Sequence, residues 1–357
     1  MTRPRRHALA IELTSHCNQR CSYCYNDWRG DNGRSVGALA GDELLALITK
    51  ATDEVEFDHV TLTGGEPLAR HDFFSILDLC RSRGVRVFII SNGGLIDDAA
   101  AARLGTYDLL GMQLTLNATT AAAHDALVGG RHFDATLTGV AALLRHGVPV
   151  MGSIVVTRQN AGEVGAILDL WRELGVKSVA LSRFSPAGYA AQHVAELLPS
   201  RSDMIGALEA AEIRGRDHGM DLQVTLPVPV CMVDHADYPH VDFGGCPIGT
   251  DMQEFALGPR GELRSCTLHS DALGDARSES LADLVASPAL AAYRDLSPEF
   301  CRPCPHRRSC QGGCGAAAAS VLGDPRGLDP FVAQHVDDGF AMRLAQARGP
   351  RRLPVLS

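Results

Sequence analysis

Lysine is almost missing from this chain. Of its 33 Lys and Arg residues only Lys50 and Lys177 are lysines, a preference for arginine that assigns no function. Aromatic residues make up 5% and hydrophobic residues an ordinary 45%, a balance that fits neither a disordered chain nor a disulfide miniprotein. No run of 18 apolar residues occurs, so no helix is expected to span a membrane. The basic stretch over residues 1–8 leads into no apolar core with a small-residue cleavage site, so it does not read as a secretory signal. A cytoplasmic protein is expected. The net charge of −9 argues against nucleic acid as the main partner.

Cysteine is what the chain has in excess. A chain of 357 residues buries enough apolar area to fold without cross-links, yet 11 of them are cysteines. Without export, disulfides explain these poorly, and metal or redox chemistry explains them better.

The first 182 residues alternate strand and helix. Apolar, β-branched runs at 7–13, 59–63, 85–91, 111–116, 148–157 and 176–182 read as buried strands. Helical spacing occupies 42–55, 72–83, 133–146 and 163–174 between them, and 201–218 after them. Six such units are too few for a closed eight-fold barrel. The expected fold class is α/β, a partial (β/α)6 TIM-like barrel with its ligand site at the C-terminal strand ends. From Asp221 periodicity fades while Gly, Pro and Cys concentrate. Residues 1–220 are therefore expected to form the barrel core with a bridging helix. Residues 221–357 should form a small loop-rich region that ends in an Arg/Pro tail.

Cys17, Cys21 and Cys24 stand as C-x3-C-x2-C directly after the first strand. Three thiolates on one loop reach a single iron–sulfur cluster and leave one iron open. A structural zinc ion wants four ligands, with His16 as a possible fourth. The string Cys17-Asn18-Gln19-Arg20-Cys21-Ser22-Tyr23-Cys24 resembles the cluster motif of the radical S-adenosylmethionine (SAM) superfamily. Gly64-Gly65-Glu66-Pro67, at the end of the second strand, resembles that superfamily's GGEP motif. The resemblance implies a SAM-binding [4Fe–4S] cluster and SAM itself, with the Gly pair allowing close backbone approach and Glu66 facing an ammonium. It further implies SAM contacts at Ser91 and Asn92, at Thr115 and Asn117, and at Ser153 and Arg183. For each of these, a polar cap on a strand end is the equal alternative.

The later cysteines run Cys246, then Gly261-x4-Cys266, then Cys301-x2-Cys304-x5-Cys310-x3-Cys314. This resembles the SPASM domain, which carries two auxiliary [4Fe–4S] clusters. Zinc is again the physical alternative. The resemblance implies that Cys246, Cys266 and Cys314 hold cluster I, with Cys231 as a fourth ligand, and that Cys301, Cys304 and Cys310 hold cluster II. The family's last cysteine would fall near Val332, and no Cys follows Cys314. Asp329, His335, Asp337 and Asp338 are the nearby candidates for a replacement. Cys80, inside a helical segment, reads as a buried structural thiol. His124 and Asp125 read as helix-start packing, and His235 and His240 as loop residues.

The implied activity is reductive cleavage of SAM to a 5′-deoxyadenosyl radical that abstracts a substrate hydrogen. The expected outcome is oxidation or C–S or C–C cross-linking of a ribosomally made peptide by a radical SAM oxidoreductase. The catalytic acid or base is not assigned. Sulfatase-type maturation is disfavoured because Thr267 follows Cys266, where such relatives carry Asp. Sixteen residues precede Cys17, so no fused leader-binding domain is expected; a separate leader-binding protein would serve, together with a flavodoxin- or ferredoxin-type electron donor. The alternatives are a SPASM-type dehydrogenase or rearrangement enzyme acting on a small molecule, and a non-catalytic iron–sulfur or zinc protein.

Overall fold

The computed structural model describes residues 3–29, 37–337 and 339. Asp338 and the Arg/Pro tail lie outside them.

Strands β1 (Arg5–Glu12), β2 (Glu56–Thr63), β3 (Val87–Ser91), β4 (Leu109–Thr115), β5 (Val150–Val156) and β6 (Ser178–Arg183) pair in sequence order, all parallel. Between them run helices α1 (Gly41–Glu54), α2 (Phe73–Ser82), α3 (Asp98–Leu104), α4 (Ala121–Val128), α5 (Phe133–Arg145) and α6 (Val164–Glu173). In α1, Leu44, Leu47, Ile48 and Ala51 are buried, the helical stripe that faces a sheet. The later helix Arg201–His218 begins with a Ser200/Asp203 capping box and ends on Gly219 at φ +60°, where the sequence signals placed it.

The sheet is longer than six strands. β7 (Asp221–Val224) and β8 (Asp242–Phe243) extend it beyond β6, both parallel. On the other side β9 (Glu254–Leu257) pairs parallel to β1 and carries the antiparallel strands β10 (Glu262–Arg264) and β11 (Ala272–Asp275). The order is β11-β10-β9-β1-β2-β3-β4-β5-β6-β7-β8, an open partial barrel. These added strands have two to four residues, too short to show alternation, which is why the sequence reading stops at six. The chain beyond residue 220 thus builds both edges of the sheet that the first half begins.

Strand alternation separates core from cavity. Val60 and Leu62, Ile89, Met112 and Leu114, and Ile154 and Val156 are wholly buried in the core. Their neighbours Thr61 and Thr63, Phe88 and Ile90, Gln113 and Thr115, and Met151, Ser153 and Val155 face the barrel interior. Cys80 lies in the core at 1% exposure. No helix among the described residues is long and apolar enough to cross a membrane.

Candidate active site

The loop after β1 packs on the turn after β2. Gly65 N–H donates to the Thr14 carbonyl at 2.7 Å, and Glu66 N–H to the His16 carbonyl at 2.9 Å. The fit leaves no room for a side chain: a Cβ on Gly65 would fall 2.1 Å from the His16 oxygen, and one on Gly64, at φ +129°, 2.7 Å from the Thr14 oxygen. Asn26 Nδ2 donates to the Gly64 carbonyl at 3.1 Å. Arg29 donates to the Cys21 carbonyl and lies 3.8 Å over the Tyr189 ring.

Cys17, Cys21 and Cys24 share one cavity wall. Gln19 N–H and Asn92 Nδ2 approach Cys17 Sγ at 3.4 and 3.8 Å, and Cys21 Sγ donates to Gln19 Oε1 at 3.4 Å. Withdrawal from water pushes the Cys17 thiol up to about 11 and raises Cys21 and Cys24 as well. Thiols held this way become thiolates when a cation or cluster is bound. Among the described residues no three His, Cys, Asp or Glu side chains converge on one point as ligands of a single ion do. Three thiols on one short loop fit three ligands of a single cluster. His16 is exposed and off the cavity wall.

The cavity measures about 640 Å³ and fills the barrel. It runs from the Cys17 loop and Gly64-Gly65, past Gln113, Thr115, Ser153 and Gln223, to a far wall of Cys246, Cys266 and Cys314 with Thr267, Leu268 and Tyr293. Burial pushes Cys246 to about 11 and Cys266 to about 12, each raised further by the neighbouring cysteines of that wall, and raises Cys314. Tyr293 Oη lies 3.2 Å from His269 Nε2 beside them.

Residues 11–171 match the model of the radical SAM superfamily. The PqqA peptide cyclase of Methylorubrum extorquens (strain PA1) is 30% identical over 332 residues, covering 90% of this chain and 83% of that protein. This chain belongs to the radical SAM superfamily. It is of the SPASM type, as the second cysteine set implies. The PqqA peptide cyclase of Streptomyces rochei is 27% identical over 329 residues, 90% of this chain and 88% of that protein. Two solved structures share the fold. Streptococcus suis SuiB bound to its precursor peptide SuiA has a TM-score of 0.70 at 16% identity, covering 91% of this chain and 75% of that one. The protein anSMEcpe with bound AdoMet has 0.71 at 18%, covering 96% and 99%.

Within this radical SAM fold, Gly64, Gly65, Ser91, Asn92, Thr115, Ser153 and Arg183 line the cavity. Glu66, Pro67 and Asn117 do not. Glu66 is wholly buried, and its carboxylate accepts from Ser91 Oγ at 2.9 Å, Leu68 N–H at 3.1 Å and Asn92 N–H at 2.9 Å. It braces the ends of β2 and β3 together. Asn117 accepts from Val155 N–H at 2.8 Å and latches β4 to β5. Arg183 reaches the wall, but its guanidinium is engaged by Asp329 at 2.5 Å and the Pro227 carbonyl at 3.2 Å.

Cys231 does not line the wall that carries Cys246, Cys266 and Cys314. It is near enough to Cys310 and Cys304 for their charges to raise its thiol, and Cys301 feels the same effect from Cys310, Cys231 and Cys304; none of the four lines the cavity. Asp329 is likewise not free to replace a missing cysteine, because it accepts from Cys314 N–H and Phe331 N–H, both at 2.8 Å, and pairs with Arg183.

Sequence reasoning missed Gln113, Gln223, Tyr293 and Arg264. The strand period signals Gln113. Nothing local signals Arg264, which forms a buried ion pair with Glu12 across the whole chain.

Proposed function

We propose that this protein is a peptide-modifying radical SAM oxidoreductase that oxidises a peptide substrate or closes a C–S or C–C cross-link in it. One observation carries the reading: a single cavity joins the Cys17, Cys21 and Cys24 loop to the Cys246, Cys266 and Cys314 wall. The names of the PqqA peptide cyclases, and the precursor peptide in the SuiB structure, support a peptide as substrate.

Cys17, Cys21 and Cys24 would hold the first cluster. The Gly64-Gly65 backbone, Asn92, Thr115 and Ser153 would hold SAM. Together, when bound, cluster and SAM supply a 5′-deoxyadenosyl radical able to take an unactivated hydrogen. The polar interior residues Gln113, Ser153 and Gln223 orient what enters, and the apolar side chains of Phe88, Ile90 and Met151 disfavour water beside the reacting carbon. A cavity of this size admits SAM and a substrate side chain, not a folded peptide. A separate leader-binding protein would deliver the peptide, and a flavodoxin- or ferredoxin-type donor the electron.

The test is anaerobic reconstitution with SAM and dithionite, with and without short peptides encoded beside the gene. The expected result is 5′-deoxyadenosine together with a peptide lighter by two hydrogen atoms. No 5′-deoxyadenosine above a Cys17→Ala/Cys21→Ala/Cys24→Ala control overturns the radical SAM reading. 5′-Deoxyadenosine with every peptide unchanged overturns the peptide reading.

A further inference from the structure

The seven C-terminal cysteines divide into two sets by position. Cys246, Cys266 and Cys314 line the cavity, and Cys231, Cys301, Cys304 and Cys310 lie off it. The second set gathers residues from two distant segments. Cys301 to Cys310 lie on a loop that reverses through Gln311, Gly312 and Gly313, all at positive φ. The reversal is tight: a Cβ on Gly312 would sit 3.3 Å from Cys301 Sγ.

Cys231 comes from the loop between β7 and β8. It occupies a turn in which Met232 N–H and Val233 N–H both donate to the Pro229 carbonyl, at 2.8 and 3.2 Å. Arg201 Nε pins the Met232 carbonyl at 2.6 Å, and His235 Nε2 lies 2.8 Å from the Val228 carbonyl, with its ring stacked 3.9 Å from Phe243. On the cavity side Arg183 bridges the Pro227 carbonyl to Asp329, which holds Cys314 N–H. These contacts fix the turn with Val230 and Cys231 at its tip, and Cys231 is near enough to Cys310 and Cys304 to feel their charge.

The other candidate ligands are engaged elsewhere. Asp329 is committed as described. His335 Nε2 accepts from Arg201 N–H at 3.0 Å, and Asp337 accepts from Gly339 N–H at 3.0 Å.

We propose that Cys231 is the fourth thiolate of the cluster held by Cys301, Cys304 and Cys310, which leaves the set on the cavity wall with three cysteines. This rests on the reading of the protein as a three-cluster enzyme. Cys231 takes the place of the cysteine that the chain lacks near Val332, supplied from upstream instead of downstream. A fully thiolate-ligated cluster away from the cavity suits electron transfer, whereas a three-cysteine set faces whatever enters the cavity.

The test uses the full chain, reconstituted anaerobically, with iron and sulfide counted first. About twelve irons per chain fits three cubane clusters; a wild-type chain that takes up no iron overturns the underlying reading, not this assignment alone. The holoprotein is then alkylated with iodoacetamide and each cysteine read by peptide mass spectrometry. Cys231 is exposed, so protection reports ligation. Cys231 is expected to be protected in the wild type and in the Cys246→Ala/Cys266→Ala/Cys314→Ala variant. In the Cys301→Ala/Cys304→Ala/Cys310→Ala variant it should react at least tenfold faster. Reaction in fully loaded wild type, or the reverse pattern between the two variants, overturns the assignment.

If a triple variant fails to fold, single exchanges decide. Cys231→Ala should change the reduced-cluster EPR signal that is also lost in Cys304→Ala. A change confined to the signal lost in Cys266→Ala overturns the proposal, as does no change.

Discussion

Arg183 Nη2 stands 2.5 Å from Asp329 Oδ2, and both side chains are fully buried. Arg183 ends β6, and the same Asp329 oxygen accepts from Cys314 N–H. The pair therefore ties a barrel strand to a cysteine of the far cavity wall. A second buried pair does the same on the other side. Glu12 ends β1, which leads into the Cys17 loop, and it pairs with Arg264, which ends β10 two residues before Cys266. Burying such pairs gains little net stability over apolar replacements. What they contribute is position: the two cysteine walls face each other across one cavity.

Removing one partner should therefore cost far more than removing both. Asp329→Ala strands a buried guanidinium and is expected to destabilise the holoprotein by about 3–5 kcal/mol. Arg183→Met with Asp329→Asn, which keeps an acceptor for the Cys314 and Phe331 N–H groups, should recover part of that loss. Anaerobic guanidinium denaturation of the two variants and the wild type measures both. Equal destabilisation by the single and double variants would count against the positioning role.

Gly65→Ala should separate the first cluster from the others. A Cβ there meets the His16 oxygen at 2.1 Å and Cys17 N at 3.1 Å, both backbone atoms that move only if the cysteine loop moves. Iron content is expected to fall by about four per chain, with 5′-deoxyadenosine formation abolished. Iron assay beside chromatographic quantification of 5′-deoxyadenosine checks both.

Glu66 should leave a signature in stability against pH. Burial raises its carboxyl to about 6 from the ordinary 4.5. A raised acid favours the folded state most below the unfolded value, and that contribution is lost as pH rises through the folded value. Between pH 4.5 and 6 the wild type should lose up to about 2 kcal/mol relative to Glu66→Gln, from roughly 1.4 kcal/mol per pKa unit. Denaturant midpoints at several pH values in that window measure it. Parallel pH profiles would refute the assignment.

Cys80 provides the control. It is buried in α2 among core residues, so Cys80→Ala should cost about 1 kcal/mol of packing and leave iron content unchanged. Loss of iron would place it among the ligands.

Local sequence spacing was enough to read much of this protein. C-x3-C-x2-C and Gly64-Gly65-Glu66-Pro67 each lie within a few residues, and a short loop holds such groups together whatever the rest of the chain does. The resemblance likewise pointed to Thr115 and Ser153, and the strand pleat places both on the cavity wall. The helix over 201–218 was legible from local sequence as well. Spacing could not say which thiols meet across the fold. The proposed grouping of Cys231 with Cys301, Cys304 and Cys310 depends on a turn pinned by Arg201 and His235, which is a matter of loop packing between remote segments. Nor could it say that Glu66 and Arg183 would be claimed by internal partners, since a buried charge takes whichever donors or acceptors the fold brings to it. The sequence by itself determined that there are clusters of thiols and where along the chain they lie. The tertiary structure decided which of them share one cavity, because the sheet brings β1, β6 and β10 around it and two buried ion pairs hold the cysteine segments to those strands.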